Sequence, residues 1–320
     1  MSKQPPSDPT FDNAPGRSVG TSTDPLDWYG LPRDELERKQ LQTIQRRMQR
    51  RMDSNTTVFR PHLLTRTRTA DRGARPLSGV FWESPDIWVA VGAPDSNPAI
   101  PTTTRVSNPT VGKPHTLYAH AWNLGLAPAI GITVEFLVFN PSIAFDGQRP
   151  LFRAVTRVDL AGRTTPAECH RLVKCPTAWV PTSDNNGHEC IIVRVSGVGD
   201  TLQPAHRFEP AFDRHVAQRN LQVSLFGDNQ SALLGSLSGT LPKGGRLKYV
   251  VAGAEAQQTV DLVAPGLLVD PRATPRVVQD IKEAPKPAPG RATVVRIEGV
   301  GPGGDTVGGY SIVMTAQPLG

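Results

Sequence analysis

Residues 116–139 read TLYAHAWNLGLAPAIGITVEFLVF. Two apolar, alternating segments flank a break that contains Asn, Gly and Pro, and this pattern predicts a strand, a turn and a second strand. Side chains alternate between the two faces of a strand, so each segment has one face that is small or aliphatic. These are the predicted core faces: Leu117, Ala119 and Ala121 in the first strand, and Ile132, Val134, Phe136 and Val138 in the second.

The opposite face of these strands is also apolar, although a solvated sheet face is normally polar. It carries Tyr118, Trp122, Leu137 and Phe139. Large exposed apolar patches are uncommon on monomers, so something is expected to cover this face. Two interpretations stay open. The cover is either a second sheet layer, the N-terminal arm or another domain of the chain, or it is a partner that binds this surface.

The sequence around these strands resembles the CARDB family, immunoglobulin-like β-sandwich modules of bacteria and archaea that are related in shape to fibronectin type III. The matching parts are PDIWV at 85–89, Gly112, NLG at 123–125, the strand at 134–138, WVP at 179–181, GH at 187–188, the apolar run at 190–195, and the polar run at 213–220 before LQV. The resemblance covers about residues 83–226 and implies a spacer or binding module with no shared active site. The insertion at 141–171 and the cysteines depart from the family's shorter pattern.

Composition supports an all-β fold. The 320 residues include 31 Pro and 29 Gly, which separate short apolar runs, and this punctuation argues against a parallel α/β nucleotide-binding fold. We therefore predict two immunoglobulin-like antiparallel β-sandwich domains, preceded by an extended arm with one basic amphipathic helix. The predicted boundaries are a disordered or extended arm at 1–31, the helix at 32–53, a basic extended linker at 54–82, the CARDB-like sandwich at 83–226, and a second, smaller β-sandwich-like domain at 227–320.

The chain has seven candidate strands in the first domain and five apolar runs in the second. The strands are predicted at 87–91, 116–123, 130–139, 151–160, 171–179, 190–195 and 220–225. The later runs lie at 231–237, 247–251, 259–263, 292–297 and 310–315, and a short helical turn is considered at 274–282.

The N-terminal arm concentrates the basic charge. Residues 33–75 hold 12 Lys and Arg against 5 Asp and Glu, a net charge of +7, whereas the whole chain carries +6. Arg46, Arg47, Arg50 and Arg51 suit the negative C-terminal end of the predicted helix. No nucleic-acid motif accompanies this charge, so docking on a protein is favoured over nucleic acid. The adjacent Trp28 and Tyr29 are expected to anchor the otherwise polar arm.

Three cysteines and two histidines form the densest group of possible metal ligands: Cys169, His170, Cys175, His188 and Cys190. The spacing contains no Cys-x-x-Cys knuckle, so three interpretations stay open. The thiols are buried as small hydrophobes, or Cys190 forms a disulfide with Cys175 or Cys169, or the group binds a metal. We favour buried thiols, with no metal and no cofactor.

The loop at 199–220 carries Asp200, His206, Glu209, Asp213 and His215, but in no catalytic or EF-hand spacing. No nucleophile elbow is present, and the glycine-rich 299–304 precedes a strand rather than a helix.

The sequence therefore predicts a non-catalytic structural or protein-interaction module, which docks to a partner or to itself through the arm and the apolar sheet face. A carbohydrate-binding or adhesion module and a metal-binding enzyme are the alternatives. The polar first 30 residues contain no secretory signal, so a cytoplasmic protein without a transmembrane segment is expected, and signal-independent export stays open.

Overall fold

The computed structural model of the chain describes residues 59–99, 108–140, 149–182 and 189–318. The predicted arm at 1–31 and helix at 32–53 lie outside these ranges. Six of the predicted interaction residues lie outside them as well: Trp28, Tyr29, Arg46, Arg47, Arg50 and Arg51.

Two antiparallel sheets of four strands form the first part of the fold. The first sheet contains β1 (Leu63–Leu64), β2 (Ile87–Val91), β3 (His115–Asn123) and β6 (His170–Lys174). The second sheet has the order β5-β4-β7-β8 and contains β4 (Ala129–Phe139), β5 (Phe152–Leu160), β7 (Cys190–Ser196) and β8 (Val216–Arg219). One buried apolar cluster joins the facing sides of the two sheets, so they form a sandwich.

The strand–turn–strand pattern at 116–139 predicts a β-hairpin, but β3 and β4 do not pair with each other. They belong to different sheets, and the turn between them carries the chain across the core. The physical reason lies in the two aliphatic faces, which meet each other inside the sandwich instead of lying side by side. Asn123 fixes the turn, since its Nδ2 donates to the carbonyls of Ala127 and Ala161 and its Oδ1 accepts from the amide of Gly125.

A third sheet forms the C-terminal part, with the order β12-β10-β13-β14-β9 and β11 paired with β13. Its strands are β9 (Leu221–Leu225), β10 (Arg246–Val251), β11 (Leu268–Val269), β12 (Arg276–Val278), β13 (Arg291–Val300) and β14 (Thr306–Thr315). Two short helices accompany it, α1 (Ser231–Gly239) and α2 (Gln257–Val263). The all-β class is therefore confirmed.

The apolar runs at 231–237 and 259–263 are helical, and the region 227–320 supplies one sheet instead of two. The third sheet packs against the outer face of the second sheet, since residues of both sheets belong to one buried cluster.

One continuous segment passes from the second sheet to the third. β8 pairs with β7, Asn220 follows it directly, and β9 then pairs in parallel with β14. The strand predicted to close the first domain therefore belongs to the third sheet. The pairing partner of β9 lies some 90 residues later in the chain, which the local pattern does not reveal.

The described part of the predicted linker, 59–82, is built into the fold. Leu63 and Leu64 pair with the end of β3 as β1, and Trp82 is completely buried. Within the described residues, no helix combines the length and the apolar character required to cross a bilayer.

Candidate functional site

The predicted aromatic surface on the first sheet is buried. Tyr118 is 0% exposed and Trp122 is 2% exposed. The Trp122 indole Nε1 donates to Asp86 Oδ2 at 2.9 Å, and the Arg66 guanidinium lies 4.3 Å from the centre of its ring. These contacts leave Trp122 no open face for a partner or a sugar, so the prediction of a binding surface here is wrong.

A buried ion pair lies beneath this aromatic group. The side chains of Arg66 and Asp86 are both 0% exposed, and Arg66 Nη2 lies 2.8 Å from Asp86 Oδ1. A buried charge is tolerated only when it is paired and hydrogen-bonded, and Asp86 also accepts from the Arg66 amide. The group therefore fixes the segment after β1 to the start of β2.

Two histidines complete this cluster. His120 Nε2 lies 2.8 Å from His170 Nδ1, and the His120 ring stacks on Trp122 at 4.3 Å. Burial lowers the pKa of both histidines, and the Arg66 charge acts in the same direction. Both rings are therefore neutral at neutral pH and serve in packing and hydrogen bonding.

The apolar residues of the second sheet are covered by the third sheet. Leu137 is 2% exposed and Phe139 is 0% exposed, and both belong to the same buried cluster as Val294, Ile312 and Met314. The interpretation that another part of the chain covers this face therefore applies to these two residues, and they do not form a free partner surface.

The polar loop brings a histidine between two carboxylates. His215 Nδ1 lies 2.6 Å from Asp213 Oδ1, and its Nε2 lies 3.1 Å from Asp200 Oδ1, an ion pair outside hydrogen-bond geometry. Burial acts to lower the pKa of His215, but the two carboxylates outweigh it and raise the pKa above its usual value. Burial acts to raise the pKa of Asp200, but His215 and Arg214 lower it to about 2.

The same network holds the first strand. Asp200 accepts from the amide of Leu63 and pairs with Arg214, whose Nε donates to the Leu63 carbonyl at 3.1 Å. His62 lies beside this group, and burial, together with Arg214, lowers its pKa to about 4. The arrangement joins residues 62–63 to residues 200 and 213–215. His206 and Glu209, from the same predicted group, instead pair with each other on the surface, 2.6 Å apart.

A second buried ion pair joins the sandwich to the third sheet. Glu83 Oε1 accepts from Arg296 Nε at 2.9 Å and from the Ser311 hydroxyl, and Glu83 Oε2 accepts from the Thr259 hydroxyl at 2.6 Å. The side chains of Glu83 and Arg296 are 10% and 12% exposed. Glu83 thus contacts α2, β13 and β14 at once.

The three cysteines form no disulfide with one another and lie in different environments. Cys175 belongs to the core between the first and second sheets, whereas Cys190 belongs to the core between the second and third sheets. Cys169 donates to the Pro166 carbonyl. The favoured buried thiols are therefore observed, and the proposed disulfides are not formed.

The candidate metal ligands are only partly described. His188 lies outside the described residues, and in the remainder no group of three or more His, Cys, Asp or Glu is placed to hold a metal ion. Cys175 and Cys190, on opposite sides of the second sheet, do not converge on a common ligand site.

The sequence interpretation missed the importance of Glu83, Arg66 and Arg214. Glu83 directly follows the apolar run at 80–82, and Arg66 lies two residues after Leu64, which was a usable signal, because a charge inside a buried stretch requires a partner. Arg214 lies between Asp213 and His215 and carried no such signal. The identity of the partner depends on contacts between residues far apart in the chain, such as Glu83 and Arg296.

No family model matches this chain, and no curated protein matches it. Among solved structures, a CARDB domain from Pyrococcus furiosus in complex with di-metal ions is 16% identical, with 43% of this chain and 88% of that domain covered and a TM-score of 0.24. A bacterial adhesin from Mobiluncus mulieris with intramolecular disulfide, isopeptide and ester cross-links is 10% identical, with 72% and 98% covered and a TM-score of 0.21. Both are β-sandwich folds, and one of them is a CARDB domain, the family that the sequence resembles. No functional conclusion follows from likenesses at this level.

Proposed function

We propose that this protein is a non-catalytic interaction module, in which a scaffold of three joined sheets presents the basic N-terminal arm to a protein partner. The observation that carries the proposal is that the buried charged side chains pair with one another inside the chain. Glu83–Arg296, Arg66–Asp86 and His215 with its two carboxylates each join parts of the chain that are distant in sequence. These groups hold the scaffold together, because their charged side chains pair with one another inside the chain.

The arm is the proposed contact, because the apolar sheet residues are occupied within the chain. Its four clustered arginines, Arg46, Arg47, Arg50 and Arg51, suit an acidic protein surface. Attraction between exposed charges is screened by salt over roughly 8–10 Å at physiological ionic strength. Partner binding is therefore expected to weaken as the salt concentration rises.

The test changes the four arginines to alanine in the full chain and compares the proteins captured by cross-linking in lysate. The matched control removes four exposed basic side chains from the C-terminal region, with Lys243→Ala, Arg246→Ala, Arg276→Ala and Lys282→Ala. Partners lost only with the arm variant support the proposal. Partners that are retained by the arm variant, or lost equally with the control, count against it.

A further inference from the structure

Strand β5 is a long edge that the fold leaves open. Its nine residues, FRAVTRVDL, pair with β4 on one side, and in the described part of the chain nothing pairs with the other side. The outward side chains remain accessible, with Arg153 64% exposed and Val155 43% exposed. Unpaired strand edges are templates for another chain, and proteins normally shorten, interrupt or cover them.

The other edge strands among the described residues are partly covered or shorter than β5. On β9, the Asn108 side chain accepts from the Val223 amide at 2.9 Å and donates to the Val223 carbonyl, as a neighbouring strand would. On β8, the amide of Ser84 donates to the Gln218 carbonyl at 3.0 Å. The edge strands β6 and β12 have only five and three residues. β5 has no Pro, Gly or Lys and no such cover among the described residues.

The sequence of β5 is complementary to itself in antiparallel orientation. When two copies overlap along all nine residues, Thr156 lies on the two-fold axis and Arg153 of each copy faces Asp159 of the other. Opposite charges on facing residues stabilise a strand pair. A shift of two residues in one direction places Arg153 opposite Arg157, and in the other direction it places Arg157 opposite Arg157, so like charges oppose both shifts. A shift of one residue exchanges the core and solvent faces.

The remaining side chains fit the same register. On the core face, Phe152 would face Leu160 and Ala154 would face Val158, which continues the apolar interior of the sandwich across the axis. Phe152 and Val158 are now only partly buried at the edge of that interior. On the outer face, Val155 would lie against the aliphatic stem of Arg157.

We infer that β5 is the contact between two copies of this chain, which pair antiparallel and join their second sheets into one sheet of eight strands. The contact is isologous, as expected for a two-fold dimer. The inference rests on the proposed interaction module and names a second copy of the chain as one of its partners. The contact uses residues 152–160 and none of the residues of the N-terminal arm.

The test measures the molar mass of the full chain by light scattering over a range of concentrations. The unchanged protein is expected to approach twice its mass of 34.5 kDa. Asp159→Arg places arginine opposite arginine, and Arg153→Asp places aspartate opposite aspartate, so each variant alone is expected to raise the dimer dissociation constant roughly tenfold. Mixed together, the two variants are expected to form a heterodimer, because their charges become complementary.

Both side chains also have contacts within the chain: Arg153 Nε lies 2.6 Å from Glu135 Oε1, and Asp159 Oδ1 accepts from the Gly131 amide at 2.6 Å. Recovery of the dimer in the mixture of the two variants is therefore the decisive result, because poorly folded variants would not recover it. Arg171→Asp, on the exposed face of β6, is the control and is expected to leave the mass unchanged. A monomeric unchanged protein overturns the inference, and so does a dimer that is insensitive to Asp159→Arg. In either case partners captured through the arm would still support the proposed function, so the two failures are distinguishable.

Discussion

At the scale of single residues, Glu83 is a position between the sandwich and the third sheet where substitution is expected to cost much stability. Its two oxygens serve Arg296, Ser311 and Thr259, and the ion pair is largely removed from solvent. Breaking a buried pair by removing one partner is costly because the other charge stays buried without compensation. Removal of the Glu83 side chain therefore lowers stability mainly because the Arg296 guanidinium stays buried without the Glu83 carboxylate.

Glu83→Ala is expected to lower the free energy of unfolding by about 3–5 kcal/mol, measured by chemical denaturation. The surface pair Lys248–Glu298 is the control, since the Lys248 side chain is 38% exposed. Lys248→Ala is expected to cost less than about 1 kcal/mol. Equal losses of unfolding free energy in the two variants would show that the Glu83–Arg296 pair does not contribute the stated stability.

Two histidines whose pKa values shift in opposite directions, His62 and His215, predict opposite effects of pH. The pKa of His62 is lowered from 6.5 to about 4 in the folded protein. As the pH falls from about 6.5 to 4, His62 therefore binds a proton more readily in the unfolded chain than in the folded one, and stability is lost. His62→Gln is expected to remove up to about 3 kcal/mol of that loss. The pKa of His215 is raised, so its contribution is present below 6.5 and is lost as the pH rises through the folded-state pKa.

Urea denaturation of His62→Gln and His215→Gln between pH 4 and 9 checks these signs. His62→Gln is expected to flatten the acid side of the stability curve. His215→Gln is expected to cost more at pH 6 than at pH 9. The same pH dependence in both variants and in the unchanged protein would contradict the assignment.

At the scale of elements, Trp82 and strand β14 depend on each other. Trp82 is completely buried, and its indole Nε1 donates to the Ser311 hydroxyl at 3.0 Å. A Cβ atom at Gly309 would lie 2.3 Å from the Trp82 ring, so the absence of a side chain there is what lets the ring lie against the strand.

Gly309→Ala is therefore expected to displace Trp82 and to lower the free energy of unfolding by about 1–3 kcal/mol. Gly235 in α1 is the matched control, since a Cβ atom there meets nothing within 4 Å. Gly235→Ala is expected to stabilise the protein by up to about 1 kcal/mol, because alanine favours a helix. Tryptophan fluorescence and denaturation curves of both variants provide the measurement, and a neutral Gly309→Ala would contradict the packing argument.

The individual strands were largely predictable, whereas their partners were not. Period-two alternation located the strand at 87–91 with its observed limits and most of β3, β4 and β7. It did not reveal β8, where the polar residues Gln218 and Arg219 are buried against other segments. It also did not distinguish a short strand from a short helix at 231–239, because an apolar run of that length fits either.

The candidate site was predictable only as a set of unusual residues. The apolar outer faces at Trp122 and Phe139 were correctly expected to need a cover. Which cover each received depends on long-range contacts, with Arg66 over Trp122 and the third sheet against Phe139. Nothing in the local pattern distinguishes these outcomes from a partner surface, since an apolar face is required in every case.

At the scale of the whole molecule, the shared core predicts that the sandwich and the third sheet unfold together. Leu137, Phe139 and Val216 of the second sheet lie in one buried cluster with Ile312 and Met314 of the third sheet. The continuous passage from β8 to β9 joins the same two sheets through the backbone. Neither region can therefore lose its structure without exposing apolar surface of the other.

Phe139→Ala is expected to lower the free energy of unfolding by about 3–5 kcal/mol and to speed amide hydrogen exchange in both β7 and β14. Val277→Ala, at a side chain that is 58% exposed, is the control and is expected to change stability by less than about 0.5 kcal/mol. The unchanged protein is expected to show one cooperative transition by fluorescence and by circular dichroism. Faster exchange confined to β7 in the Phe139 variant would mean that the third sheet is stable without the sandwich, and the shared cluster would then not couple the two.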